Sequence, residues 1–421
     1  MTTTLSRAST DRRFDLLSLG TFIILGLPDG MLGTAWPAMR QSFGVPVGDL
    51  GLILLVNTVG SVAVAAFVGR LIQRLGVSAL LAVAGLCAAV GGIGYAAAPG
   101  LLLVLAIGPL LGAAAGMMDG GLNTAVALTG RPRLLNLLHG FYGIGTAIGP
   151  LVVTAAILAG SWRPAYLLLV ALDLAAAVLW ALHHRNAPAP EAPRPPTGTD
   201  PGQRPDVTDP AVTWSRRRIR SVLTLGLIVF FVYTGLEVSA GQWETSYLRG
   251  HLNLSASSAG LAAFGYWGAL TAVRIGLALP ARPVPARHVI GWGMAAGVGA
   301  AALICWQPAT AAVVAGFVIL GAALAGIFPA LIAATPRRIG DERARHAIAW
   351  QVGAAAAGGS GVSALIGLLI DRTSLAVLGP ALLILALLLV LANAALARLA
   401  PIRAARNSRD EGHPTTASVG L

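Results

Sequence analysis

The sequence predicts an all-α integral membrane protein with twelve transmembrane helices in two pseudo-symmetric six-helix bundles. Three observations predict it. Apolar residues come in blocks of about 20 between short polar loops, the length a helix needs to cross a bilayer. Arginines gather on alternate loops, which fixes a sidedness. The second half of the chain echoes the first at an offset of 209 residues: Phe22 meets Phe231, Gly26–Leu27 meets Gly235–Leu236, Arg40 meets Arg249, and Gly51–Leu52 meets Gly260–Leu261.

Composition excludes the soluble alternatives. Of 421 residues, 56% are hydrophobic and 11% are charged, against roughly 25% charged in a soluble domain. Such a chain cannot cover itself with polar surface, so a cytosolic enzyme, a disulfide scaffold and a disordered protein are all ruled against. Cys87 and Cys305 fall in separate apolar segments, which implies neither a disulfide nor a metal site. The net charge of +12 would suggest nucleic acid in a soluble protein. Here the charge is all arginine at helix ends, so the expected partner is the lipid bilayer and not nucleic acid.

The spans read, in order, 15–38, 49–69, 77–97, 102–127, 136–159 and 164–183, then 221–243, 257–279, 288–305, 309–334, 346–369 and 376–398. With the N-terminus inside, 25 of the 29 arginines lie on inner segments, and only Arg40, Arg163, Arg249 and Arg372 lie outside. Both termini are therefore expected in the cytoplasm. The first span follows a short Thr/Ser/Arg-rich stretch with no small-residue cleavage site, so it reads as a retained helix and not a signal peptide. Residues 1–183 form the first bundle, 184–220 a Pro- and Arg-rich cytoplasmic linker, 221–400 the second bundle and 401–421 a cytoplasmic tail. Six spans return the chain to its starting side, so the halves are parallel repeats, which place a substrate between them at the midplane. Arginine without lysine, with abundant Ala and Gly, suggests a GC-rich bacterial genome and hence the plasma membrane.

Acids inside the spans are the strongest functional pointer, because each must be paired, protonated or hydrated. Asp29 lies in GLPDGMLGTAWPAM, about 16 Å below Arg40 at 1.5 Å per residue, where Pro28 and three glycines loosen the helix. The bland alternative is a kink residue bonding freed amides. Asp119 lies in GAAAGMMDGGLNTAVAL with Asn123 one turn on, giving one helix wall an acid and an amide. Beside it Gly112, Gly116 and Gly120 form a small-residue stripe suited to close helix packing. Glu237 lies in FFVYTGLEVSAGQWE, one turn after Tyr233 and one turn before Gly241, and matches a place one residue from Asp29 in the first half. With Gln242 and Trp243 it can bind a polyol by hydrogen bonds and stacking, or simply structure the helix end. Asp173 has no polar neighbour one turn away on either side, so it reads as a structural acid.

Other polar groups in the spans are Asn57, Asn136, His139, Tyr142, Tyr266, Trp267, Arg274, Trp350 and Gln351. His139 can shuttle protons or act as a neutral bonding group at the inner helix end. Arg274, near an inner helix end, can snorkel to the headgroups. The glycines of GFYGIGTAIG follow no strand and therefore suit helix packing, not a nucleotide loop. There is no Walker loop, zinc spacing or nucleophile elbow, so neither enzyme chemistry nor direct use of ATP is expected.

The whole chain resembles the major facilitator superfamily. Gly69-Arg70-Leu71-Ile72-Gln73-Arg74-Leu75-Gly76 looks like that family's cytoplasmic loop motif, with Gln73 where an Asp is usual. Gly69, Arg70, Arg74 and Gly76 are thus the candidate gating loop. Within the superfamily the chain is most similar to the fucose/glucose/galactose–proton symporter branch. Asp29 with Pro37, Asp119 with Asn123 and Asn136-Leu137, and Gly326-Ile327-Phe328-Pro329 carry that similarity. The resemblance implies proton and substrate binding at Asp29 and Asp119.

The expected function is secondary active transport by alternating access, with a proton as coupling ion and no cofactor or metal. The expected cargo is a sugar or small polyol, imported by a monomer. Trp36, Asn57, Asn123, His139, Tyr142, Tyr233, Glu237, Gln242, Trp243 and Gln351 are the candidate substrate-binding residues. A proton-coupled exporter of a hydrophobic metabolite or drug would use the same acids. A non-transporting receptor or scaffold would gain nothing from them. Proline-rich polar sequence cannot bury a core. Deleting about ten residues from 188–205 is therefore expected to leave the amount of folded protein in the membrane unchanged, and its loss would show that the segment packs on a bundle.

Overall fold

The protein is described by a computed structural model over residues 2–128, 131–186, 215–279 and 284–402. Of the expected linker, residues 187–214 lie outside the described residues, as do residues 403–421 of the tail and the side chain of Asn136. The described residues form fourteen α-helices. The first half holds α1 (Thr2–Phe43), α2 (Leu50–Ala65), α3 (Val68–Leu75), α4 (Val77–Ala97), α5 (Leu101–Leu128), α6 (Pro132–Leu158) and α7 (Arg163–Asn186). The second holds α8 (Arg216–Gly250), α9 (Ala256–Ala278), α10 (Ala286–Trp306), α11 (Thr310–Leu324), α12 (Ile327–Ile339), α13 (Asp341–Arg372) and α14 (Leu378–Leu399). Twelve stretches are long and apolar enough to cross a membrane, with α11 and α12 sharing one of them. Both described chain ends lie at one end of the molecule, the proximal end. The connections after α1 and α13 lie at the other, the distal end.

Local chemistry sets the helix ends. Pro132 opens α6 where its missing N–H costs nothing. Ser215 and Ser255 cap α8 and α9, their hydroxyls accepting from the amides of Arg218 and Ser258 at 3.3 and 3.1 Å. Gly76 ends α3 and starts α4 at φ +76°, a backbone that side chains disfavour.

Two expectations are corrected. Residues 69–76 are not a loop: all but Gly76 belong to the short proximal helix α3, where Gly69, Arg70 and Arg74 are exposed and Arg70 stands over the Phe67 ring at 5.8 Å. No ion pair of Arg70 or Arg74 occurs among the described residues, in keeping with Gln73 where an acid would be needed. The tenth span is not one helix. It breaks at Ala325–Gly326, because Pro329 has no N–H for the Ala325 carbonyl one turn back.

In the first half α1 packs on α6, α2 on α5 and α4 on α7; in the second α8 packs on α13, α9 on α11 and α10 on α14. The halves meet along α2–α13, α6–α9 and α1–α8. The glycines seen in the sequence make the tightest crossings. A Cβ at Gly26 would land on the Tyr142 carbonyl, one at Gly30 on that of Thr146, and one at Gly145 on that of Ile23, so α1 and α6 touch backbone to backbone. Gly112 against the Asn57 carbonyl does the same for α5 and α2, and Gly358 against that of Phe231 for α13 and α8. Small residues allow this approach, and in lipid it replaces the hydrophobic effect as the source of helix association. Gly112→Val should therefore lower stability by at least about 1–3 kcal/mol through overpacking. Gly299→Val, where an added Cβ meets nothing within 4 Å, should stay within about 0.5 kcal/mol of the parent. Thermal unfolding in detergent measures both, and equal effects would refute the crossing as the cause.

Candidate functional site

The distal seam between the halves is closed. The Gly48 amide donates to the Asp371 carboxylate at 2.8 Å, and Gly51 lies against Ala364. The Thr34 and Thr245 hydroxyls meet at 3.5 Å. Nearer the middle, Gln242 Nε2 donates to the backbone carbonyl of Asp29 at 2.8 Å. Below this level lies a cavity of about 470 Å³ between α1, α2, α4, α5, α6 and α7 on one side and α8, α9 and α13 on the other. Asp29 and Asp119 are exposed to it. The seam is closed on the distal side of both.

The cavity gathers Asp29, Asn57, Asp119, His139, Tyr142 and Gln242 from the sequence-predicted set. The α1–α6 crossing brings the Tyr142 hydroxyl to the Asp29 carboxylate, to which it donates. Asn123 does not line the cavity; its Nδ2 donates to Asp119 Oδ1 at 2.8 Å and orients that carboxyl. His139 packs edge-on against Phe22 at 5.8 Å between ring centres. The first half thus presents these two acids, each held by one neutral donor, to the cavity.

A second cluster lies beside the cavity, in the second half. Glu237 takes the Tyr233 hydroxyl and an ion pair from Arg274 Nη2 at 3.6 Å. Arg274 does not snorkel to the membrane surface as its place in the sequence suggested. Its Nε donates to the Ala325 carbonyl at 3.1 Å, the acceptor that Pro329 leaves unfilled. The Tyr233 hydroxyl also lies 3.0 Å from the Leu324 carbonyl. A carbonyl left out of the helical ladder at membrane depth needs another donor, and this cluster supplies donors at the α11–α12 junction. Tyr233 and Glu237 are accordingly wall-building residues in this state, not lining ones.

Three further candidates stand elsewhere. Trp36 is fully buried, and its Nε1 donates to the Val47 carbonyl at 2.7 Å, pinning the distal connection after α1. Trp243 Nε1 donates to the Ser363 carbonyl at 3.1 Å and joins α8 to α13. Gln351 Oε1 accepts from Thr335 at 3.0 Å near the proximal end of α13. An indole or amide can satisfy a neighbouring helix as readily as a ligand, and periodicity does not tell the two apart.

The structure adds residues that sequence reasoning missed or set aside. Tyr95, Tyr166, Thr234, Trp267 and Ser360 line the cavity. Asp173 also lines it and is only 3% exposed. Glu244 is wholly buried on α8, and neither of its carboxyl oxygens has a hydrogen-bond partner among the described residues. Its only signal was an acid directly after the Gln242–Trp243 pair, and the polar residues around it, Thr245, Ser246 and Tyr247, gave the look of a helix end. Among the described residues no group of three or more His, Cys, Asp or Glu is placed to hold a metal ion.

The family model described as Major Facilitator Superfamily matches residues 18–348. A search of curated proteins finds no match. A solved structure of a variant of the nucleoside transporter NupG superposes with a TM-score of 0.69 at 13% identity, covering 92% of this chain and 99% of that one. A D-xylose–proton symporter superposes at 0.66 and 14% identity, covering 90% and 96%. FucP in the outward conformation superposes at 0.59 and 17% identity, covering 91% and 97%. At these identities the likeness is one of fold.

The second cluster makes a sharp prediction. Arg274→Leu strands the Glu237 carboxylate and the Ala325 carbonyl together, and breaking a buried pair from one side costs about 3–5 kcal/mol. Adding Glu237→Leu should restore part of the loss. Thermal unfolding of the two single variants and the double checks this, and strictly additive losses would mean that the pair is not coupled.

Proposed function

The chain belongs to the Major Facilitator Superfamily and is a transporter, and from that premise we propose that it moves a sugar or small polyol together with a proton by alternating access. One observation carries the proposal. Asp29 offers its carboxylate to the cavity and Tyr142, while its backbone carbonyl is held by Gln242 from the opposite half. Parting the halves on the distal side breaks that bond and bares the same residue to the other face. The proton-carrying group and the moving seam are therefore one segment of α1. Asp119 with Asn123 is the second carboxyl of the pathway. By the arginine bias the proximal end is cytoplasmic, so this state is open to the inside of a bacterial plasma membrane. Intracellular release of proton and cargo would occur from it.

A polyol finds suitable partners in this wall. Asp29 and Asp119 accept hydroxyl hydrogen bonds, Asn57, Gln242, Thr58 and Ser360 can donate and accept, and Trp267 offers a ring face. Sugar or nucleoside carriage by neighbours of the same fold, named above, supports that class, and the motifs around Asp29 and Asp119 support the fucose/glucose/galactose–proton symporter branch. The rival, a proton-coupled exporter of a hydrophobic compound, draws support from Leu25, Leu32, Leu54, Leu111 and Met118 in the same wall. The cavity is also large enough for a drug-sized ligand.

Uptake of labelled sugars into proteoliposomes, with and without a pH gradient, separates the two. Gradient-driven accumulation supports the symporter. Efflux of hydrophobic dyes without sugar uptake would replace it by the exporter. Asp29→Asn and Asp119→Asn should each abolish uphill accumulation and keep sugar exchange, because the amide preserves shape but carries no proton. Normal accumulation by either variant would remove that residue from the coupling.

A further inference from the structure

The cavity is not confined to the interface between the halves. It continues into the first half between α4, α5 and α7, past Gly92, Tyr95, Leu111 and Tyr166, to Asp173. Small residues on α4, Ala88 and Gly92, line this part, and Gly85 lets α7 approach so that it lies against the Asp173 backbone. Asp29 has Tyr142, Asp119 has Asn123 and Glu237 has Tyr233 and Arg274. Asp173 has neither a hydrogen bond nor an ion pair among the described residues, although it is 97% buried, being 3% exposed. It is a buried carboxyl in the cavity wall without a partner among the described residues.

The charge of the wall says which ligand. Asp29, Asp119 and Asp173 line the cavity, and among the described residues His139 is its only lining side chain able to carry positive charge. Arg274 is drawn away to Glu237. The other titratable groups sharing the wall are the phenols Tyr95 from α4, Tyr142 from α6 and Tyr166 from α7. None of these supplies a cation to Asp173. Tyr95 and Tyr166 stand 5.5 Å apart between ring centres, and their faces suit a cation as well as a neutral ring.

We propose that Asp173 is the ammonium-binding group of the cavity and that the transported polyol bears an amine. This deepens the polyol reading above and rests on it. The exchange balances as follows. With the cavity empty of cargo, a partnerless carboxyl inside the bilayer keeps its proton. When an ammonium arrives, the carboxyl O–H bond breaks, the proton leaves through the open cavity to water, and the carboxylate accepts an N–H hydrogen bond from the ammonium. Binding of the charged cargo thus releases one proton, and binding of its neutral counterpart releases none.

The test uses the full-length protein in detergent and two probes that differ in one group, D-glucose and D-glucosamine. Calorimetric titration in buffers of different ionisation enthalpy gives both affinity and protons released. The parent should bind glucosamine at least about 10-fold more tightly than glucose, the weight of one charge-assisted hydrogen bond, with about one proton released. Asp173→Asn should keep glucose affinity, lose the preference and release no proton, and Asp173→Glu should restore both. Equal binding of the two sugars by the parent, or a preference that survives Asp173→Asn, overturns the inference and leaves the polyol reading standing. Binding of neither sugar overturns the polyol reading and this inference together.

Discussion

The contact on which the rest depends is the backbone-to-backbone crossing of α1 and α6. Gly26, Gly30 and Gly145 leave no side chain between the two helices, and the crossing has one register because carbonyls fit only at those glycines. That register sets Tyr142 against Asp29. Further along the same glycine-bearing side, α1 meets α8, where Gly33 lies against Gln242. Shifting α6 by one turn would separate the phenol from the acid, so the chemistry of the cavity is set by packing before any polar group contributes.

Asp29 and Asp119 in the first half and Glu237 in the second have different kinds of partner. The first half leaves Asp29 and Asp119 accessible through the cavity and gives each a neutral donor. The second half neutralises Glu237 internally with Arg274 and uses the guanidinium to complete the backbone where α11 meets α12. Sequence symmetry between the halves therefore does not carry over to the partners of these acids. The accessible acids suit an exchangeable proton, and the paired acid suits a fixed support.

Much of the fold was legible because apolar length and arginine placement are one-dimensional signals. The twelve spans followed from them, but not their ends: α1 starts at Thr2 and runs on to Phe43, α8 runs on to Gly250, and α2 stops early at Ala65. That Asp29 and Asp119 share one cavity wall was foreshadowed by their lying mid-span in apolar helices. What was not legible is which way a side chain faces once helices assemble. Trp36, Trp243 and Gln351 looked like ligand groups and instead satisfy neighbouring backbone or side chains. Arg274 looked superficial because its acceptor, freed by Pro329, lies in another span. The place of Asp173 in the cavity wall was not legible, because its surroundings come from α4 and α5, far off in sequence.

The Arg274–Glu237 pair also bears on how the chain enters the membrane. A guanidinium in a helix leaving the ribosome is a poor substrate for insertion into lipid. Its backbone acceptor at Ala325 has not yet been synthesised when α9 emerges. Glu237 has, because it sits on the preceding span. An α8–α9 hairpin that partitions as a unit can bring both charges in as a neutral pair, and Arg274 then waits, already compensated, for the broken span that will use it. The order of residues along the chain supplies the counter-ion before the cation and the cation before the carbonyl, an assembly sequence that reversing the two charges would undo.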